Sequence, residues 1–254
     1  MIALRVAWIT MRELIYERVF YLLLTFAVLA LGFSLLLGQL TYSEQAKITL
    51  DFLLAAVEVS MVLFSVFMGI GLFKKELMLG SVAMVLSKPI SRSSFLIGKY
   101  LGQVAIQFVV MFCMMLLTLA IQSNFQGDSS LLSVVQAVGL IFLEVLVLTA
   151  MAYFFAVNAG TITAAVVTLC LFAVGHMRES IVYHYNISIS RSWIWPVIMS
   201  LIPDLEIFNM KTIASYGYTL DATQLFWAVM YSLCCAVFFL FVACVCFANK
   251  DIAT

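Results

Sequence analysis

Long runs of apolar residues, separated by short polar segments, occupy most of the chain from residue 19 onward. A helix needs about 20 apolar residues to cross the hydrocarbon core of a bilayer. The runs supply six candidate spans, at residues 19–40, 52–73, 98–122, 131–157, 161–175 and 225–247. The fourth and fifth are divided at Asn158, Ala159 and Gly160, the only turn-like triplet near the middle of a run that is too long for one crossing. The pattern therefore predicts an all-α polytopic membrane protein, with six transmembrane helices in a single domain that covers residues 1–254.

Composition supports the membrane class and excludes several others. The chain is 65% hydrophobic and 10% charged, whereas ordinary soluble domains are about 45–50% apolar and about 25% charged. The formal net charge is zero, so no bulk attraction to nucleic acid is expected. Membrane lipid is the expected surrounding. All six cysteines fall inside predicted spans, so external disulfides are not expected: Cys113, Cys170, Cys234, Cys235, Cys244 and Cys246.

The positions of lysine and arginine predict the orientation of the spans. If the N-terminus is cytoplasmic, nine of these residues lie inside: Arg5, Arg12, Arg18, Lys74, Lys75, Lys88, Arg92, Lys99 and Lys250. Four then lie outside: Lys47, Arg178, Arg191 and Lys211. We expect both termini in the cytoplasm. A cleavable signal peptide is not expected, because the first span has full membrane length.

Residues 1–18 precede the first span and have the pattern of an amphipathic helix. Leu4, Trp8, Met11 and Ile15 recur at helical spacing. Arg5, Arg12, Glu13 and Glu17 supply the polar complement. The pattern is typical of a helix that lies in the membrane interface. A cytoplasmic extension of the first span is the alternative.

Residues 74–97 form the longest predicted cytoplasmic connection. Pro89 disfavours helix at Lys88 and ends a two-faced helical stretch. One face is apolar: Met78, Leu79, Val82, Val85 and Leu86. The other face is nearly bare of bulky side chains: Glu76, Gly80, Ala83 and Ser87. A bare face lets another surface approach the backbone, so we interpret this stretch as a docking element, with an ordinary interfacial loop and helix as the alternative.

The third span follows directly from this connection. Ser91 is a plausible N-cap for its helix, and Arg92 and Lys99 are expected at the membrane surface.

Residues 176–224 are the only long external segment. Tryptophan and tyrosine prefer the headgroup layer, and the apolar stretch 192–202 is too short to cross the bilayer. We predict re-entrant or interfacial external helices, and a small folded cap is the alternative. The residues assigned to this external cap are Trp193, Trp195, Pro203, Asp204 and Glu206.

Glu58 and Glu144 are acidic residues within predicted spans. An acid at the centre of a span costs roughly 2.5–3.5 kcal/mol on insertion scales, so each is expected to face protein, water or a partner. Both are candidates for a transport pathway or a subunit interface. A structural role, in which the acid holds helices together, is the alternative.

Motifs for catalysis or nucleotide binding are not found. Gly98-Lys99 is followed by Tyr100 rather than Ser or Thr, and Ser93 stands where a phosphate-binding loop has its first glycine. No intramembrane hydrolase motif occurs either. We therefore predict no catalytic residue, no enzyme activity and no cofactor bound by this chain.

Soft-metal ligands are present but do not predict a metal site. Met111, Met114, Met115 and the pair Cys244 and Cys246 are more typical of packing than of copper handling. His176 and His184 flank Glu179 without a third ligand at a suitable spacing, and we interpret them as a surface pair.

The order of these elements, together with three short stretches, resembles a known family. The stretches are residues 86–92 (Leu-Ser-Lys-Pro-Ile-Ser-Arg), residues 98–100 (Gly-Lys-Tyr) and residues 202–209 (Ile-Pro-Asp-Leu-Glu-Ile-Phe-Asn). They resemble the permease subunit of type-two ABC exporters, particularly the branch that includes permeases of nitrous oxide reductase maturation. The resemblance covers essentially the whole chain.

The resemblance implies a function and a set of partners. The helix between spans two and three would be a coupling helix seated in a cleft of a separate ABC ATPase, which would bind ATP and Mg²⁺. A second permease copy or a homologue would complete the pathway, in the plasma (inner) membrane. The predicted coupling residues are Glu76, Gly80, Ala83, Ser87, Lys88, Pro89 and Arg92.

Two other functions fit a polytopic chain of this composition. One is a membrane anchor or scaffold that recruits a complex without transport. The other is a channel or secondary transporter, but this would favour an inverted repeat and broken helices. The chain has no convincing internal repeat, and proline is absent from every predicted span.

Overall fold

The computed structural model describes residues 2–39, 44–78, 91–123, 130–178, 180–181 and 202–249. Among these residues, all regular secondary structure is helical. The α-helices are α1 (Ile2–Tyr16), α2 (Arg18–Gln39), α3 (Gln45–Met78), α4 (Arg92–Gln122), α5 (Leu131–Asn158), α6 (Thr161–His176), α7 (Lys211–Ser215) and α8 (Ala222–Ala248). A 3-10 turn at Glu206–Phe208 precedes α7.

Five of these helices, α2, α3, α4, α5 and α8, are long and apolar enough to cross a membrane. Helix α6 is also apolar but has 16 residues. The predicted all-helical architecture is therefore confirmed for the described residues, and the long apolar helices are compatible with a polytopic membrane protein. The predicted break is also confirmed, because α5 ends at Asn158 and α6 begins at Thr161.

Helices α3 and α5 form the centre of the bundle. Helix α3 packs against α2, α4, α5, α6 and α7, and α5 packs against α3, α4, α6, α7 and α8. The most apolar stretches of α3 and α5 are mostly buried, whereas a smaller share of those of α2, α4 and α8 is buried. Polar side chains on the two central helices can therefore be buried away from both lipid and water.

Helix α1 lies against α4 through residues spaced four apart. Val6, Thr10 and Leu14 are buried, whereas Leu4 and Trp8 are 69% and 55% exposed. The predicted apolar stripe is thus divided: Leu4 and Trp8 are exposed, whereas Met11 and Ile15 are partly buried and pack against the main core cluster. The exposed part of the stripe stays available to a membrane surface.

Ion pairs and carbonyl contacts bring the ends of several helices together at one end of the bundle, which we call the Lys99 end. Lys99 of α4 contacts Glu13 of α1 and Glu76 of α3. Arg92 of α4 contacts the last turn of α8. Helix α7 and the start of α8 lie toward the other end, where Gln136 of α5 hydrogen-bonds the backbone of residue 220.

A buried polar layer joins the central helices between these two ends. The hydroxyl groups of Ser65 in α3 and Thr149 in α5 are 2.8 Å apart. Gln107 Nε2 of α4 lies 3.1 Å from Thr149 Oγ1, and Gln103 Nε2 donates to the carbonyl oxygen of Ser65 at 2.9 Å. All four side chains are buried, so their hydrogen bonds replace those that water would supply.

Replacing Thr149 with valine is expected to lower the free energy of unfolding by about 1–2 kcal/mol. Valine keeps the shape of the side chain but leaves Ser65 and Gln107 without this hydroxyl partner. The measurement is reversible unfolding in detergent. Thr168→Val is the matched control, because the buried Thr168 hydroxyl donates within its own helix to Ala164. Equal losses in the two variants would contradict a role for the layer in joining helices.

Candidate functional site: two buried charge clusters

The first cluster, which we call the Lys99 cluster, surrounds Lys99 of α4. This helix follows the predicted coupling connection and begins at Arg92. Its Nζ is 2.7 Å from Glu13 Oε2 and hydrogen-bonds Glu76 Oε1. The Lys99 side chain is 3% exposed, that of Glu76 14% and that of Glu13 41%. One ammonium group thus joins α1, α3 and α4.

Lys99 is buried between helices, and its position at the membrane surface stays a prediction. Helix α4 begins at Arg92, earlier than the predicted span, so Lys99 lies in its second turn and faces α1 and α3. A buried cation needs compensating charge, and the two glutamates supply it.

The start of α4 is fixed in two further ways. The Ser91 side chain accepts a hydrogen bond from the backbone N–H of Ser94 at 3.3 Å, which confirms the predicted N-cap. Arg92 Nη1 donates to the carbonyl oxygens of Phe247 and Ala248, at 3.3 and 3.1 Å. The last carbonyl groups of a helix lack intrahelical donors and carry partial negative charge, so Arg92 is a suitable partner for the end of α8.

The predicted coupling residues are only partly within the described structure. Glu76 lies in the last turn of α3, and Arg92 is the first residue of α4. Glu76 contacts Lys99 of α4, and Arg92 contacts the end of α8, so both residues are held by other helices. The remaining coupling residues lie outside the described residues: Gly80, Ala83, Ser87, Lys88 and Pro89.

The second cluster contains both of the predicted intramembrane acids. His176 Nε2 is 3.1 Å from Glu58 Oε1, and His176 Nδ1 is 3.6 Å from Glu144 Oε1. Lys211 Nζ forms an ion pair with Glu58 Oε2. The side chains of Glu58 and Glu144 are 4% and 1% exposed. The four residues come from α3, α5, α6 and α7, and we call them the Glu58 cluster.

The segment that carries Lys211 is folded back against the central helices. Leu205 and Phe208 are buried in the main hydrophobic core. Gly175 of α6 allows this approach, because a Cβ there would lie 2.8 Å from Leu205 Cγ. In a segment that is buried away from water, the backbone polar groups need partners within the protein. Its polar groups find partners in Gln136, which bonds residue 220, and in Ser133, which donates to Ala214 O at 3.3 Å.

The predicted external-cap residues that are described lie in this segment. Pro203 is buried. Asp204 pairs with Arg178 at 3.2 Å, and Glu206 accepts a hydrogen bond from Asn209 at 2.9 Å. Trp193 and Trp195 lie outside the described residues.

His176 was not predicted as a partner of the intramembrane acids. The surface-pair interpretation is wrong for it, because its side chain is 16% exposed and faces two glutamates. The other member of that pair, His184, lies outside the described residues. One signal was available in the sequence. Each of the two lone acids requires a partner, and His176 lies directly after the short fifth span, where the external segment begins.

The charges of the Glu58 cluster do not balance without one more positive charge. Two carboxylates face one ammonium group, so the set carries one net negative charge when the imidazole is neutral. The nearby Arg178 is already paired with Asp204. A proton on His176 or on one of the two glutamates, or a bound cation, would neutralise the set.

The methionines singled out in α4 pack in the core. Met111 and Met114 are buried among apolar side chains of the main core cluster, and Met115 packs against it. This placement agrees with packing rather than metal handling.

Comparison with known proteins gives a family but no described activity. No curated protein matches the chain. Residues 43–253 match a family described as a protein of unknown function, DUF2705, and the match includes Glu58, Glu144, His176 and Lys211. The chain therefore belongs to the DUF2705 family.

Proposed function

We propose that this protein is the transmembrane subunit of an ATP-driven ABC transporter, most simply an exporter, which couples to a separate ATPase through the connection between α3 and α4. The observation that carries the proposal is the Lys99 cluster. It fixes both flanks of residues 79–90 to the bundle, because Glu76 ends α3 and Lys99 lies near the start of α4.

Such an arrangement suits the transmission of force. A push on residues 79–90 reaches α3 and α4 together, because the Glu76–Lys99 pair joins the two helices. It also reaches α1 through Glu13 and α8 through Arg92. Alternating access needs two packings whose balance depends on a ligand, and here ATP bound by the partner would supply that dependence.

The proposed topology has six crossings with the Lys99 end in the cytoplasm. Five helices have the required length. Helix α6, with 16 residues, spans about 24 Å, and the folded-back segment that contains Leu205 and Phe208 fills the remaining depth. Most of the described lysine and arginine residues lie at the Lys99 end, which agrees with the positive-inside rule.

A second permease copy, or a homologue, would complete the pathway. Helices α2, α4 and α8 expose large apolar side chains over much of their length. In a membrane, these faces are available both to lipid and to a second transmembrane subunit.

The experiment that tests the proposal is site-specific photo-crosslinking in the native membrane. A photoreactive amino acid at Ala83 is expected to capture a protein that has a phosphate-binding loop and an ABC signature. The same amino acid at Phe241 is the matched control, because Phe241 is 67% exposed on α8 and is expected to meet lipid or a second permease. Capture of no ATPase at Ala83, or equal capture at both positions, would contradict the proposed coupling.

A functional measurement separates a transporter from an anchor. The captured ATPase, reconstituted with the permease, is expected to lose its stimulation when Gly80 is replaced by tryptophan. Gly32→Trp is the control, because a Cβ at Gly32 meets no atom within 4 Å. An anchor would bind the ATPase without changing its hydrolysis rate in either variant.

A further inference from the structure

We propose that Glu58, Glu144 and His176 form a binding site for a divalent transition-metal ion of the Zn²⁺ class, in which the metal displaces Lys211. One ligand atom from each of the three residues lies within 4.8 Å of the others. The residues come from three different helices, α3, α5 and α6, so the site is built by the fold and not by local sequence. The proposal is independent of the proposed transport function.

The three residues lie close enough together for their side chains to reach one metal ion. Zinc binds imidazole nitrogen and carboxylate oxygen at about 2.0–2.2 Å, which separates neighbouring ligands by roughly 3.4 Å. The observed separations are 3.1 Å from His176 Nε2 to Glu58 Oε1 and 3.6 Å from His176 Nδ1 to Glu144 Oε1, so each is measured from a different ring nitrogen. One imidazole nitrogen would bind the ion, so side chains must reorient within the cluster to bring all three ligand atoms to it.

An unpaired buried oxygen points to a ligand independently of these distances. Glu144 Oε1 has no hydrogen-bond partner among the described residues, and its side chain is 1% exposed. Neither ring nitrogen of His176 has a well-aligned hydrogen bond there, although Nε2 lies 3.1 Å from Glu58 Oε1. A buried carboxylate without partners is costly, and a metal ion would satisfy the oxygen and one nitrogen together.

The charge of the site favours a divalent ion over a second ammonium group. Two carboxylates and a neutral imidazole match the +2 charge of one metal ion. Lys211 forms its direct ion pair with Glu58. Lysine and metal therefore compete for the same oxygen atoms, and binding would replace the contact between α3 and α7 with one that joins α3, α5 and α6.

The ligand set indicates the class of metal. Imidazole suits zinc and other late transition metals, whereas Mg²⁺ and Ca²⁺ prefer oxygen ligands alone. Three protein ligands leave a fourth position for water or another ligand, as in open zinc sites.

The test uses the full chain, purified in detergent, stripped with a chelator and dialysed against ZnCl₂ or MgCl₂. The wild type is expected to bind one equivalent of zinc that survives excess Mg²⁺, and zinc is expected to raise its melting temperature. His176→Asn and Glu144→Gln are expected to weaken zinc binding by about 100-fold or more, beyond the effect of losing an outer-shell partner. Glu44→Gln is the matched control, because Glu44 is an exposed carboxylate paired with Lys47.

Lys211→Met is expected to change zinc affinity in the opposite direction from His176→Asn and Glu144→Gln. Removal of the competing ammonium is expected to tighten zinc binding at least tenfold. The variant also guards against misfolding as an explanation, because a damaged fold does not gain affinity. The proposal is overturned if the wild type binds no more zinc than His176→Asn, if Mg²⁺ displaces the zinc, or if Lys211→Met fails to tighten binding.

Discussion

Replacing Lys99 with methionine is expected to lower the free energy of unfolding by about 3–5 kcal/mol, the cost of removing one partner from a buried ion pair. Methionine keeps most of the apolar stem but removes the ammonium group. Glu76, whose side chain is 14% exposed, and Glu13 would then face each other without a cation. The measurement is reversible unfolding in detergent, followed by circular dichroism.

Two controls separate the effect of charge from loss of packing. Lys75→Met removes a lysine that is paired with Glu17 and 56% exposed, and exposed pairs contribute about 1 kcal/mol or less. The double variant Lys99→Met/Glu76→Gln is expected to recover part of the stability, because it removes one of the uncompensated carboxylates. A loss of stability in Lys99→Met as small as that in Lys75→Met would contradict a role for the Lys99 cluster in joining α1, α3 and α4.

The helices themselves could be predicted from the sequence because hydrophobic runs and turn residues are local signals. The Asn158-Ala159-Gly160 break and the Ser91 cap are each defined within a few residues, and both are found in the structure. The extension of α3 beyond its apolar run was not predicted, whereas the Ser91 cap already indicates that α4 begins at Arg92. Charged residues at the ends of a run indicate the membrane surface, but here Lys99 and Glu76 neutralise each other, and the helices continue through them.

The contacts between helices could not be predicted in the same way. Periodicity shows that α1 has an apolar stripe, but not that Val6 and Leu14 pack on α4 while Leu4 stays exposed. Glu58 and Glu144 were recognised as requiring partners. Their partner His176 was not recognised, because its distance from both acids along the chain is large and only the folded bundle brings them together.

The roles of both clusters follow from their different partners. In the Lys99 cluster, one cation faces two acids of which one is partly exposed, so water can compensate the excess charge. In the Glu58 cluster, both acids are buried, so the excess negative charge is removed by a proton, by a cationic side chain or by a bound ion. This difference agrees with the proposal that the second cluster, and not the first, binds an ion.

Replacing Gly102 with leucine is expected to lower the free energy of unfolding by about 3 kcal/mol, at the upper end of the usual cost of overpacking. A Cβ at this position would lie 2.5 Å from the carbonyl oxygen of Ala7 and 2.7 Å from Thr10 Cβ. The first of these atoms belongs to the backbone, so α1 must move away as a whole. Gly32→Leu is the matched control: it meets no atom within 4 Å, and leucine is the better helix former by almost 1 kcal/mol.

The displacement of α1 can be measured directly by thiol labelling, and it should also weaken the Lys99 cluster. Thr10 is buried, so a Thr10→Cys probe, in a background without the native cysteines, is expected to react with a thiol reagent only after Gly102→Leu. Displaced α1 also carries Glu13 away from Lys99. Gly102→Leu and Lys99→Met should therefore destabilise by less than their sum when combined, because both act on the same contact between α1 and α4. Full additivity, with Thr10→Cys still protected, would contradict the docking of α1 through Gly102.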